Sequence, residues 1–165
     1  MRLSEGVEWG VHSVVVLAFF PPGSALTAAQ LAEYHALPSA YLAKQLQALA
    51  RAGVLETVRG RGGGYRLARA PEDVTVLDCV EAIEGTESAF RCTEIRRRGP
   101  AAVPDREYRT LCGVHLALLQ ADEAWRAQLR ATTVADLAHG VLRDASAKAL
   151  EKGAAWAAEI LGGSR

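Results

Sequence analysis

Apolar positions along the chain fall into short runs of helical spacing, broken by proline, glycine and capping residues. Val7, Val11, Val14, Val15 and Ala18 recur on one face and predict a helix over 4–20, capped by Ser4 and stopped by Pro21-Pro22-Gly23. Thr27 is placed to cap a second helix over 28–36 that turns Leu31 and Ala32 inward. Leu37-Pro38-Ser39 reads as a turn, with Ser39 as the cap of a third helix over 40–52 carrying Leu42, Leu46 and Leu49. Two short helices joined by a tight turn make a helix-turn-helix. The β-branched run Val54–Val58 and the segment Tyr65–Ala68 flank Arg59-Gly60-Arg61-Gly62-Gly63-Gly64, which predicts a β-hairpin. A hairpin directly after the third helix is a wing.

Pro71-Glu72-Asp73 opens a linker, and a helix over 76–84 follows, ended by Gly85. Residues 86–110 show no periodicity and read as a long loop, a length that usually signals function or disorder. A long helix over 113–130 then places Val114, Leu118, Ala121, Trp125 and Leu129 in one stripe. Thr133 and Asp136 start a last helix, expected to extend with breaks at Gly140 and Gly153 towards Ile160. The predicted fold is therefore mainly α with a small β-hairpin. It comprises a winged helix-turn-helix over 1–70, a connecting helix and loop over 71–110, and a long helix with a C-terminal helix over 111–165. The apolar stretch Val14–Phe20 is too short to span a bilayer, and the N-terminus lacks a signal-peptide pattern. The expectation is a cytoplasmic protein with no membrane partner.

Composition adds one puzzle. The 165 residues carry 19 Lys+Arg and 19 Asp+Glu, a net charge of zero, which at face value argues against a nucleic-acid partner. Read by segment, residues 38–69 hold six basic side chains and one acid, while 71–90 hold six acids and no Lys or Arg. The positive block coincides with the helix-turn-helix and wing, and phosphate neutralisation depends on local charge. Ser39, Ala40, Tyr41 and Lys44 occupy the first turns of the third helix, the end that faces base edges in such units, and Gln45 follows. Arg59 and Arg61 flank a glycine at the hairpin tip, suited to phosphates or a narrow groove.

The chain has three cysteines, a sparse, odd set that fits a reducing compartment. Cys79 lies in a predicted helix and reads as a buried thiol. Cys92 and Cys112 bracket most of the long loop, with 19 residues between them. His115 follows Cys112 in a Cys-x-x-His pattern, and Glu8 and His12 stand four apart on one face of the first helix. Taken alone, that last pair reads as a surface helical pair. No nucleophile–base set, HExxH motif or dinucleotide fingerprint is present, so the sequence does not read as an enzyme.

Several stretches together resemble the Rrf-type family of bacterial transcription regulators, which includes IscR, NsrR and RsrR. They are Met1-Arg2-Leu3-Ser4, Gln30-Leu31-Ala32, Ser39-Ala40-Tyr41-Leu42, the run Leu46–Val54 and above all Val58–Arg69, with Val74–Asp78 and Ala82–Gly85 following. The resemblance covers about 1–137 and implies a homodimeric DNA-binding regulator, dimerised through the long helix and reading a roughly palindromic operator. It also implies an iron–sulfur cluster in many members. Members of that kind typically carry three cysteines in the loop, and this chain has two there. The RsrR-like pattern, in which a Glu/His pair of the first helix completes the cluster from the opposite subunit, matches Glu8, His12, Cys92 and Cys112 here, with Trp9 alongside as a switch residue. The favoured expectation is a 2Fe–2S cluster on those four ligands acting as a redox sensor, with His115 as the alternative ligand. A mixed ligand set raises the reduction potential relative to an all-thiolate one. The alternative function is a cluster-free thiol/disulfide sensor or a nitric-oxide-sensing repressor.

Overall fold

The computed structural model describes residues 3–60, 62–88 and 90–163. Among them are seven α-helices and one two-stranded antiparallel hairpin, in the order α1 (Glu5–Ala18), α2 (Ala28–Tyr34), α3 (Ser39–Arg51), β1 (Leu55–Val58), β2 (Gly64–Leu67), α4 (Val76–Glu84), α5 (Gly113–Arg130), α6 (Val134–Asp144) and α7 (Ala147–Gly162). Helix α1 is central and packs against α3, α4 and α6. Its Val14, Val15, Val16 and Leu17 join Leu31 of α2 and Leu42, Leu46 and Leu49 of α3 in one buried core. Each such side chain contributes about 1.5–3 kcal/mol when fully buried.

Two glycines decide how closely α1 packs. A Cβ on Gly6 would lie 2.8 Å from the Gln45 amide, and one on Gly10 would lie 2.5 Å from Ile83. In the hairpin, Leu55 pairs with Leu67 and Val58 with Gly64. Leu26 adds a bridge to Tyr65, through hydrogen bonds of 2.9 and 2.7 Å. A Cβ on Gly64 would meet the Leu26 carbonyl at 2.2 Å, and one on Gly63 would meet the Val58 carbonyl at 2.4 Å. The end of the glycine run is thus required by backbone packing at the root of the wing.

Three helices begin with reciprocal capping boxes: Thr27 with Gln30, Thr75 with Asp78 and Thr133 with Asp136. Two expected caps differ. Ser4 occupies the cap position of α1 but makes no capping bond; its backbone N–H donates to Glu84 Oε1 at 3.0 Å and its hydroxyl donates to the same oxygen. Ser39 is the first residue of α3, and Pro38 stands at the cap without a side-chain bond. The last predicted helix is two helices. The chain breaks at Ala145–Ser146, where Ser146 caps α7 by accepting from the Ala149 N–H, and Gly140 and Gly153 lie inside helices. Interior glycine costs about 1 kcal/mol relative to alanine without ending a helix. Gly153 sits where a Cβ would come within 3.4 Å of the Tyr34 hydroxyl. Helix α7 places Trp156 against Phe20 and Tyr34, with ring centroids 5.8 and 4.6 Å apart.

The Thr75 box is also the joint between the reading unit and the rest. Arg69 reaches Asp78 at 3.1 Å, and Val76 N–H donates to Thr132 at the α5–α6 turn. Partial burial pushes the Asp78 carboxyl up, but hydrogen bonds from Thr75 and the charge of Arg69 outweigh it and hold its pKa below the ordinary value. A depressed carboxylate contributes stability at neutral pH that is lost as pH falls through its folded pKa. Thr75→Ala is expected to cost about 1 kcal/mol in urea unfolding at neutral pH and less in acid, where Asp78 is protonated in both variants.

Candidate DNA-reading face and cysteine loop

Ser39, Ala40, Tyr41 and Lys44 are all exposed on the first turns of α3, with Tyr41 66% exposed. Gln45 is half-buried, with its amide over Gly6 of α1. Arg59 is exposed at the end of β1; Arg61 lies outside the described residues. The basic block is not uniformly free. Arg66 pairs with Glu56 across the hairpin, and Arg69 pairs with Asp78. Among the described residues, Lys44, Arg51 and Arg59 make no ion pair. Within the basic block, the charge free of ion pairs among the described residues therefore lies on α3 and just after β1.

Glu8 and His12 are exposed and line one shallow depression along α1, with Leu3, Ser4, Glu5, Val7 and Val11. The His12 ring meets the edge of His35, centroids 5.3 Å apart, and burial together with the neighbouring His12 lowers the His35 pKa. Trp9, between the two, is half-buried and packs on the core. It shares a cleft with Tyr41, Lys44 and Gln45 of α3 and with Ile83 and Glu84 of α4. One helix thus carries Glu8 and His12 outward and Trp9 and Gly6 against the reading helix.

The long loop is ordered by a small polar core that its lack of periodicity did not foretell. Tyr108 donates to the Arg96 carbonyl at 2.7 Å and accepts from the Val103 N–H at 3.2 Å, and the Arg96 and Arg97 guanidiniums lie 4.9 and 5.3 Å from its ring centroid. Arg96 also donates to Glu94 at 2.8 Å and to the Thr110 carbonyl at 2.7 Å. The hydrogen bond from Arg96 is the main cause that holds the Glu94 carboxyl below its ordinary pKa. Arg96 so ties the segment just after Cys92 to the segment just before Cys112. Glu94 itself adopts φ +49°, a left-handed conformation unusual outside glycine and common at functional loops.

Cys92 and Cys112 are half-buried free thiols, and the Glu94 N–H donates to Cys92 Sγ at 3.4 Å. Cys92 and His115 both line one open cleft with Phe90, and His115 Nδ1 is buried without a hydrogen-bond partner among the described residues. Among the described residues, no group of three or more His, Cys, Asp or Glu of one chain is assembled to hold a metal ion. The candidate donors lie on two elements, Cys92, Cys112 and His115 in or beside the loop and Glu8 and His12 on α1. Cys79 belongs to neither set. It is fully buried in α4, where burial pushes its thiol up to about 12.

The thiolate is the reactive form of cysteine. In metal-free protein, iodoacetamide at neutral pH is expected to label Cys92 and Cys112 well before Cys79, as read by peptide mass spectrometry over time. Early labelling of Cys79 would contradict its burial.

Comparisons with known proteins agree with the fold. The regulator NsrR of Bacillus subtilis is 29% identical over 137 residues, covering 83% of this chain and 90% of that protein. Among solved structures, CymR, the global cysteine regulator of B. subtilis, superposes with a TM-score of 0.64 at 23% identity, covering 84% of this chain and 97% of that one. IscR of T. potens gives a TM-score of 0.62 at 23% identity, with 88% and 89% covered. The model of the Rrf2 family, described as iron-dependent transcriptional regulators, matches residues 3–140. The winged helix-turn-helix and the loop-to-long-helix connection both lie inside that match, and the chain belongs to the Rrf2 family of DNA-binding transcriptional regulators.

Proposed function

We propose that the chain is a homodimeric regulator that senses redox state through a 2Fe–2S cluster held by Cys92 and Cys112 of one chain and Glu8 and His12 of the partner. The observation that carries this reading is the division of donors within one chain: two thiols on the loop, and a carboxylate and an imidazole on an exposed face of α1. Helix α5 supplies the reason for two chains. None of its residues is buried, and Val114 and Leu118 are 65% and 39% exposed. An apolar stripe of that kind calls for a partner surface. Residues 71–110 then connect the reading unit to the dimer helix.

When bound, such a cluster supplies a reversible one-electron couple, with imidazole and carboxylate in place of two thiolates. The chain's own contribution is mechanical. Displacement of Glu8 or His12 would move α1, whose Gly6 packs under Gln45 of α3 and whose Trp9 lines a cleft with Tyr41 and Lys44. Two arrangements of the reading helix can be biased in this way. A second reading of the fourth ligand has its own support, since His115 Nδ1 is buried, unpartnered and beside the Cys92 cleft.

Protein purified without oxygen is expected to be coloured and to contain iron and acid-labile sulfide. Glu8→Ala and His12→Ala should each shift the visible spectrum while His115→Ala leaves it unchanged. The reverse pattern would select His115, and a colourless, iron-free protein that still responds to peroxide would select a thiol/disulfide switch.

The DNA face is tested separately on a random-sequence duplex. Lys44→Ala and Arg59→Ala should each weaken binding and reduce the slope of log affinity against log salt by about one. Unchanged slopes in both variants would remove these side chains from the interface.

A further inference from the structure

Arg126, near the end of α5, has a side chain only 13% exposed, and all three of its guanidinium nitrogens are engaged. Nε donates to Asp122 Oδ2, one turn earlier, at 3.2 Å. Nη1 donates to Glu81 Oε1 on α4. Nη2 donates to the carbonyls of Thr86 and Glu87, at 2.8 and 3.3 Å. Those carbonyls open the cysteine loop, five residues before Cys92. Helix α4 in turn reaches α1 through Glu84, which accepts from the Ser4 N–H and hydroxyl, and it packs against both α1 and α3. Polar contacts joined by the α4 backbone therefore lead from the start of the loop, through Arg126, to the N-cap of α1.

A second observation shows where this guanidinium can go. Asp122 Oδ1 is buried and has no hydrogen-bond partner among the described residues, on a side chain 11% exposed. Buried polar atoms are nearly always satisfied, so an orphan on a carboxylate already touching an arginine marks an available bond. Nε and Nη2 lie on one edge of the guanidinium, the edge that grips a carboxylate with two parallel bonds. Turning one Nη2 N–H onto Asp122 Oδ1 completes that pair and leaves a single Nη2 N–H for the Thr86 and Glu87 carbonyls. The same residue thus has two arrangements, one holding both carbonyls against α4 and one that trades part of that hold for a bidentate pair with Asp122.

We propose that Arg126 is a positioning residue with these two settings, and that the state of the cysteine loop reaches α1 and α3 through it. The regulatory part rests on the reading above that the loop holds the redox centre; the clamp itself does not.

Hydrogen exchange by mass spectrometry on the full chain tests both. In metal-free protein, Arg126→Lys keeps the charge but loses the fork, and should raise exchange several-fold at 86–92 together with α4 and the first turn of α1. A rise confined to the loop would overturn the path. Asp122→Asn replaces a carboxylate oxygen by an amide donor and removes the bidentate setting, so exchange at 86–92 should slow relative to wild type; equal or faster exchange would overturn the second setting. In iron-loaded protein, dithionite reduction should alter exchange in α3 of wild type, and Arg126→Lys should reduce that change, leaving the part carried by Glu8 and His12 and the loop's own response. An α3 change undiminished in Arg126→Lys would overturn the regulatory role. Absence of iron, or of any redox effect in wild type, would instead defeat the cluster reading, and the metal-free measurements would still decide the clamp.

Discussion

The close approach of α1 to its neighbours is the constraint on which the other features depend. Gly6 and Gly10 remove two side chains from the face of α1 that meets α3 and α4, and Gln45 and Ile83 fill the space to within contact of the backbone. Interiors packed this tightly transmit displacement instead of absorbing it. Glu8 and His12 stand on the outward side of the same helix, and Trp9 lines a cleft with Tyr41 and Lys44 of the reading helix.

The zero net charge acquires a structural meaning from the ion pairs. The acidic segment after the wing is largely the joint that holds the molecule together. Asp78 caps α4 and takes Arg69, Glu81 takes Arg126, and Glu84 takes Ser4. Within the wing, Glu56 takes Arg66. Within the basic block of the reading unit, the side chains free of ion pairs among the described residues are Lys44 and Arg51 of α3 and Arg59 just after β1. Local charge on one face governs phosphate binding, so cancellation elsewhere in the chain does not weaken it.

Most of the architecture was legible because it rests on periodicity and capping. The helices at 76–84 and 113–130 follow from apolar spacing, and Thr27 and Thr133 announced helix starts that the structure confirms with full capping boxes. The break at Ala145–Ser146 was not legible from glycine positions, since a serine with a free acceptor ends one helix and starts the next more effectively than Gly140 or Gly153 interrupts one. The site was legible only in parts. Cys92 and Cys112 stand out by residue type, whereas Glu8 and His12 taken alone read as a surface pair and enter only through the family resemblance. Tyr108, Arg96 and Arg126 do not stand out at all, because their roles come from contacts with residues far along the chain. The only trace of Arg126 in the sequence is its i,i+4 spacing from Asp122, shared by many surface pairs.

Helix α5 shows how the two candidate donor sets are related. Its later turns are anchored to their own chain, with Trp125 and Leu129 half-buried and Arg126 tied to α4. Its earlier turns expose Val114, Leu116, Leu118 and Leu119, and Leu111 just before the helix is exposed as well. Cys112 sits at the root of that uncovered half, in the cap position of the helix. A second chain that covered the apolar stripe would approach next to Cys112. Apolar burial supplies most of the free energy of such an association, while the few polar groups set its register. The loop thiol Cys112 and the uncovered apolar stripe are adjacent on one chain, so under the proposed cluster reading pairing of two chains and completion of the ligand set would be coupled.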